Sequence, residues 1–219
     1  MSSKPFKRIV IFDFDGVLGD TLEDMLRFSD EVAAELGIHH HTTLQDLEVL
    51  QPMSFANLGR QIGISETEID RYVQKMIELF ETSPIPCPIF PGMADVVKKL
   101  TNNSILAIVS GNTTAVIQHF LEYYGLAHAF QKIYGVDIPG GKVEKIKRIL
   151  FEVNQPNLPA MMIGDAASDV EAAHQAGITA IAVSWGHQPQ HKLLQAHPDY
   201  FVKTPQELLE IILSIKADS

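Results

Sequence analysis

The chain has 219 residues, 46% of them hydrophobic and 20% charged, enough for one ordinary domain or a core with a small insert. Its formal net charge of -10 disfavours nucleic acid and anionic membrane as partners, and no apolar run approaches the length of a bilayer span. A phosphate-bearing ligand would meet the same adverse field, so any site for one must carry its own local positive charge. A single cysteine, Cys87, excludes an internal disulfide and makes the cytoplasm the expected location. Lys4, Lys7 and Arg8 precede an apolar run too short for a signal peptide.

The first element is that run. Ile9-Val10-Ile11-Phe12 is short, β-branched and wholly apolar, which predicts a buried strand. It ends in Asp13-Phe14-Asp15-Gly16, two carboxylates one residue apart. Ligands of open parallel sheets bind outside the carboxyl ends of the strands, so this pair is a candidate site for a hard cation and a phosphoryl group. An Asp-rich turn explains the same residues equally well when they are taken alone.

From about Leu18 to Pro88 the pattern is helical, with stretches at Thr21–Leu36, Ser54–Ile62 and Glu66–Thr82 and no clear strand. Pro84, Pro86, Pro88 and Pro91 then read as a stiff return linker. His39-His40-His41 reads as a solvated turn, since adjacent residues rarely converge on one ion. After a helix from Gly92, strand and helix alternate. Strands are expected at Ser104–Val109, Phe130–Gly135, Ala160–Ile163, Ile178–Val183 and Tyr200–Val202, and helices at Thr113–Tyr124, Val143–Val153, Ser168–Gln175 and Pro205–Ile215. The alternation predicts an α/β fold, a doubly wound parallel-sheet (Rossmann-like) core interrupted by a helical insert.

Three later segments also fall at strand ends: Ser110-Gly111-Asn112, Gly140-Gly141-Lys142 and Gly164-Asp165-Ala166-Ala167-Ser168-Asp169. Phosphoryl transfer needs charge neutralisation and in-line positioning more than covalent assistance. Asp13, Asp165 and Asp169 suit Mg²⁺, which takes a few carboxylates and keeps several waters. The Ser110 hydroxyl with the Gly111 and Asn112 N–H groups can cradle phosphate oxygens, and Asp15 can exchange the proton of the leaving alcohol. Each piece has a plainer reading. Ser110-Gly-Asn serves as a helix N-cap, Lys142 as a surface lysine, and Lys145 or Lys147 could take its role.

Taken in order, the four segments resemble the motifs of the haloacid dehalogenase superfamily, on its phosphatase side. The chain is most similar to the phosphoglycolate phosphatase-like subgroup, including the closing Ser184-Trp185-Gly186-His187 and Pro198-Asp199-Tyr200-Phe201-Val202. That resemblance implies a phosphatase core at 1–16 and 89–219 and a helical cap domain at 17–88. It makes Asp13 the nucleophile, Asp15 the general acid/base and a carbonyl ligand of Mg²⁺, and Ser110 and Lys142 the phosphoryl-binding pair. Asp165 and Asp169 would complete the metal site. The implied reaction is Mg²⁺-dependent hydrolysis of a small phosphorylated metabolite through an aspartyl-phosphate.

Asp15 argues against a true dehalogenase, which lacks this carboxylate. Val17, where many such phosphatases have Thr, keeps a β-phosphoglucomutase-like phosphomutase open, and a non-catalytic binding protein on the same fold is the third reading. The helical stretches of the insert hold one lysine, Lys75, which disfavours Schiff-base phosphonate chemistry. Arg60 could meet a substrate carboxylate or second phosphate bidentately, or be a solvated helix arginine. His187 is open in the same way. The substrate and the oligomeric state are not legible in the sequence.

Overall fold

The computed structural model describes residues 7–50 and 53–216. Lys4 lies outside them. Six strands form one sheet: β1 (Arg8–Phe12), β2 (Ser104–Val109), β3 (Phe130–Tyr134), β4 (Ala160–Gly164), β5 (Thr179–Val183) and β6 (Tyr200–Val202). Their order is β3-β2-β1-β4-β5-β6 and every pairing is parallel. β1 therefore lies between β2 and β4, where the order reverses, and the crevice at such a switch point is where α/β sheets bind ligands. Register brings the three central strands to a common end, with Phe12 opposite both Ile108 and Ile163.

β1 and β2 are buried along their whole length, so their apolar sequences face helices on both sides. On one face Ile9, Ile11, Ala107, Val109 and Met162 pack with Ile146 and Ile149 of α7 (Lys142–Val153) and Val170 and Ala173 of α8 (Ala167–Ala176). Near the other end of β1, the Arg8 guanidinium donates to the Ile212 carbonyl in the last turn of α10 (Pro205–Ser214), where unpaired carbonyls favour a cation.

The chain packs as two compact units. Residues up to Asp20 and from Pro88 onward make the sheet unit, and Thr21–Cys87 makes a helical one. The helical unit holds α1 (Leu22–Glu35), α2 (Leu44–Glu48), α3 (Phe55–Gln61) and α4 (Ile69–Thr82). Met25, Phe28 and Val32 of α1 meet Tyr72, Met76 and Phe80 of α4 in its core, with Phe28 edge-on to Phe80 at 4.8 Å.

Helix α4 starts three residues later than its sequence pattern suggests, because Glu68 N–H closes a turn onto the Ser65 carbonyl. Helix α5 (Met93–Leu100) follows the expected helix from Gly92, whereas α2 and the short α9 (Gln190–Gln195) were not expected. The histidine run is held by local carboxylates: His40 lies 3.1 Å from Asp46 and His41 2.7 Å from Asp30. No helix among the described residues is long and apolar enough to cross a membrane.

Candidate active site

All four segments meet at the carboxyl ends of β1, β2 and β4. Asp13 continues β1 by donating its N–H to the Ile163 carbonyl at 2.8 Å, which fixes its backbone against β4. Its side chain is buried. Oδ1 accepts the Phe14 N–H at 2.6 Å, and Oδ2 accepts the Lys142 ammonium at 2.6 Å. Lys142 opens α7, and its Nζ also reaches Asp169 Oδ1. Lys145 and Lys147 do not share this place. Lys145 donates to the Gly135 carbonyl at 2.7 Å, and Lys147 is exposed.

Carboxylate oxygens of Asp13, Asp165 and Asp169 lie within 4.8 Å of one another, all three residues buried. Among the described residues this is the only such group of metal-ligating side chains. Asp169 Oδ2 accepts the Ala166 N–H at 3.1 Å, and Asp165 Oδ2 accepts the His187 N–H at 2.6 Å. Asp15 faces the end of β2, where it accepts from Ser110 Oγ at 3.3 Å and from Asn112 Nδ2 at 3.1 Å. The Asn112 N–H donates to Ser110 Oγ at 3.1 Å. Gly111 is exposed at the mouth of that turn. Arg60 belongs to the helical unit, where its guanidinium takes both oxygens of Glu66 at 2.7 and 3.1 Å on an exposed face.

Three carboxylates around one ammonium leave the cluster short of positive charge. Burial pushes Asp165 up to about 7, with the Asp13 charge adding to it and the His187 N–H and Lys142 opposing. Burial raises Asp169 as well. Burial works against the Lys142 charge, but Asp13 and Asp169 outweigh it and hold the ammonium above the ordinary lysine value. Hard oxygen donors, a charge deficit and close burial are what a divalent cation fits.

Glycines make room for this crowding. A Cβ on Gly16 would lie 2.0 Å from Asp165 Oδ2, one on Gly186 2.2 Å from Asp165 Cβ, and one on Gly164 2.2 Å from Asp169 Cβ. Gly16 also has φ +72°, which L side chains rarely adopt.

The model for the haloacid dehalogenase-like hydrolase family matches residues 10–183. The chain belongs to that family. A phosphoglycolate phosphatase of Synechococcus elongatus is 29% identical to it over 207 residues, covering 94% of this chain and 97% of that protein. A haloacid dehalogenase-like hydrolase structure from Streptococcus pneumoniae superposes with a TM-score of 0.79 at 23% identity, covering 97% and 100% of the two chains. CbbY from Rhodobacter sphaeroides, solved in complex with phosphate, gives 0.73 at 19% identity, covering 93% and 96%. These structures share the haloacid dehalogenase-like fold seen here.

Sequence reasoning missed the part of this hydrolase's site built by backbone. Gly164 and Gly186 stood in the quoted segments without the role of making room for a carboxylate, and Asp137, which accepts the Thr114 N–H at 2.7 Å at the start of α6 (Thr114–Tyr123), was not singled out. The available signal was position: Gly164 ends β4, and Gly186 lies three residues past the end of β5.

The charge deficit has a measurable consequence. A carboxyl raised to about 7 in the fold, against 3.8 unfolded, binds its proton more tightly when folded. Stability from this group is present below about pH 4 and is lost as pH rises toward 7. Asp46, held at about 2 by its hydrogen bonds despite burial, acts in the opposite sense only below pH 4. Added Mg²⁺ should therefore raise the melting temperature of chelator-treated protein more at pH 8 than at pH 5. In Asp165→Asn the difference between the two increments should shrink to the part that Asp169 carries, as read by thermal unfolding.

Proposed function

We propose that the protein hydrolyses a small phosphomonoester, phosphoglycolate- or sugar-phosphate-like, with Mg²⁺ and through an aspartyl-phosphate on Asp13. One observation carries the reading: the Lys142 ammonium sits between Asp13 and Asp169, beside Asp165, at the switch point of the sheet. The name of the Synechococcus elongatus relative supports the substrate class, and CbbY with its phosphate supports the ligand.

Asp13, Asp165 and Asp169, with the Asp15 carbonyl, would hold the ion. When bound, Mg²⁺ supplies charge neutralisation for the dianionic substrate. A carboxylate oxygen of Asp13 attacks phosphorus, the P–O bond to the alcohol breaks, and Asp15 gives its proton to the leaving oxygen. Asp15, now ionised, takes a proton from water as that water attacks phosphorus. The Asp13–phosphorus bond breaks and phosphate leaves. Ser110, Gly111 and Asn112 hold phosphoryl oxygens, and Lys142 screens nucleophile and phosphate from each other.

Residues 17–88 are assigned as a helical cap domain that selects the leaving group, with Arg60 released from Glu66 as its anion contact. We place the enzyme in the cytoplasm, where its one cysteine, Cys87, is a buried free thiol.

The test is phosphate release from phosphoglycolate, sugar phosphates, nucleotides and pyrophosphate, with Mg²⁺ and with chelator. Metal-dependent release concentrated on one monoester is the expected result. Absence of release from every compound would overturn the reading in favour of a mutase or a binding protein. Lysine replacements divide the roles further. Lys142→Met should slow turnover on the order of 10²–10³-fold, since it removes a preorganised charge from the transferring group. Lys145→Met should leave the rate within about threefold while lowering the melting temperature, because a buried carbonyl loses its donor.

A further inference from the structure

The loop after β5 makes bonds that none of these roles uses. Trp185 donates its indole N–H to the Val17 carbonyl at 3.3 Å, and Gln188 accepts the Ala167 N–H at 2.7 Å. Between them, the His187 N–H holds Asp165, and Gly186 lies flat against the same carboxylate. Residues 18–20 and 88–90 run antiparallel nearby in sequence to Val17. Phe90 N–H donates to the Leu18 carbonyl at 3.0 Å and Asp20 N–H to the Pro88 carbonyl at 2.8 Å. This ribbon is where the chain leaves the sheet unit and returns to it.

The His187 side chain is only 6% exposed, and its buried Nε2 has no hydrogen-bond partner among the described residues. Leaving a buried polar nitrogen unpaired costs its full desolvation, so such atoms call for an explanation. Asp20 Oδ1 stands 3.9 Å away on a side chain that is 43% exposed and has room to turn. An imidazole nitrogen that carries its hydrogen can donate to that carboxylate.

We propose that His187 is a positioning residue: its main chain sets Asp165, and its ring, completing a hydrogen bond to Asp20, ties that carboxylate to the ribbon of residues 18–20 and 88–90. The inference rests on the reading of Asp165 as a metal ligand. Cation binding and the His187–Asp20 bond then strengthen each other, because coupling between two sites is reciprocal.

The test uses the full chain as wild type, His187→Leu, His187→Gln, Asp20→Ala and the Leu/Ala double variant. Mg²⁺ affinity is read by calorimetry and the melting temperature without metal. His187→Leu and Asp20→Ala should each weaken Mg²⁺ about 10-fold, the scale of groups that orient metal ligands. His187→Gln, whose amide N–H reaches the same place, should return affinity to within about threefold of wild type. The double variant should be no worse than either single one in both measurements, as expected of two ends of one bond.

Additive losses of melting temperature would overturn the His187–Asp20 bond. Coupled melting with unchanged Mg²⁺ affinity would overturn its link to Asp165. A wild type that takes up no Mg²⁺ would overturn the metal reading itself, and the link with it.

Discussion

Asp13→Asn should abolish phosphate release, by on the order of 10⁴-fold or more, while leaving a folded protein. The amide keeps the shape of the side chain and an oxygen to accept the Phe14 N–H, but it is no nucleophile toward phosphorus. Removing one of three crowded carboxylates also relieves the repulsion that raises Asp165, and Lys142 keeps Asp169 as a partner. The melting temperature of the metal-free variant should therefore equal or exceed that of the wild type. Steady-state phosphate assays and thermal unfolding, run on the same preparation, check both halves. Substantial metal-dependent turnover in Asp13→Asn would remove Asp13 from the nucleophile's role.

Gly16→Ala and Gly37→Ala should separate backbone strain from site geometry. Both glycines have positive φ, +72° and +78°, so alanine at either costs roughly 1–2 kcal/mol of left-handed strain. Around Gly37 an added Cβ meets nothing within 4 Å, whereas at Gly16 it would drive into Asp165. Gly37→Ala should lower the melting temperature and leave turnover unchanged. Gly16→Ala should add a loss of Mg²⁺ affinity and turnover of about 10²-fold, because displaced support for a metal ligand costs 10- to 100-fold. Equal effects of the two variants on Mg²⁺ affinity would show that Gly16 serves the turn alone.

The positions legible in the sequence are those of polar side chains that end apolar strands. The apolar run Ile9–Phe12 announces β1, and its abrupt end places Asp13. Asp165 closes β4 in the same way, one residue past Gly164. The residues alone left Lys145 and Lys147 open beside Lys142, which only the family resemblance singled out; in the fold, packing turns Lys145 onto the Gly135 carbonyl. Contacts made by the absence of a side chain were hidden as well: nothing in the sequence shows that Asp165 and Asp169 fill the space beside Gly16, Gly164 and Gly186. Helix α2 could have been found. Thr43 and Asp46 stand three apart, and the Asp46 carboxylate accepts the Thr43 N–H and the Thr43 hydroxyl, each at 2.8 Å, a helix start visible as Thr-x-x-Asp.

The most direct test of the account is to trap the covalent state. Protein turning over its fastest monoester with Mg²⁺ is quenched in acid within milliseconds, digested and examined by mass spectrometry. One phosphoryl group is expected on the peptide that contains Asp13, absent with chelator and absent from Asp13→Asn. Turnover at full rate with no phosphoryl group on that peptide, or with the group on another residue, would contradict it.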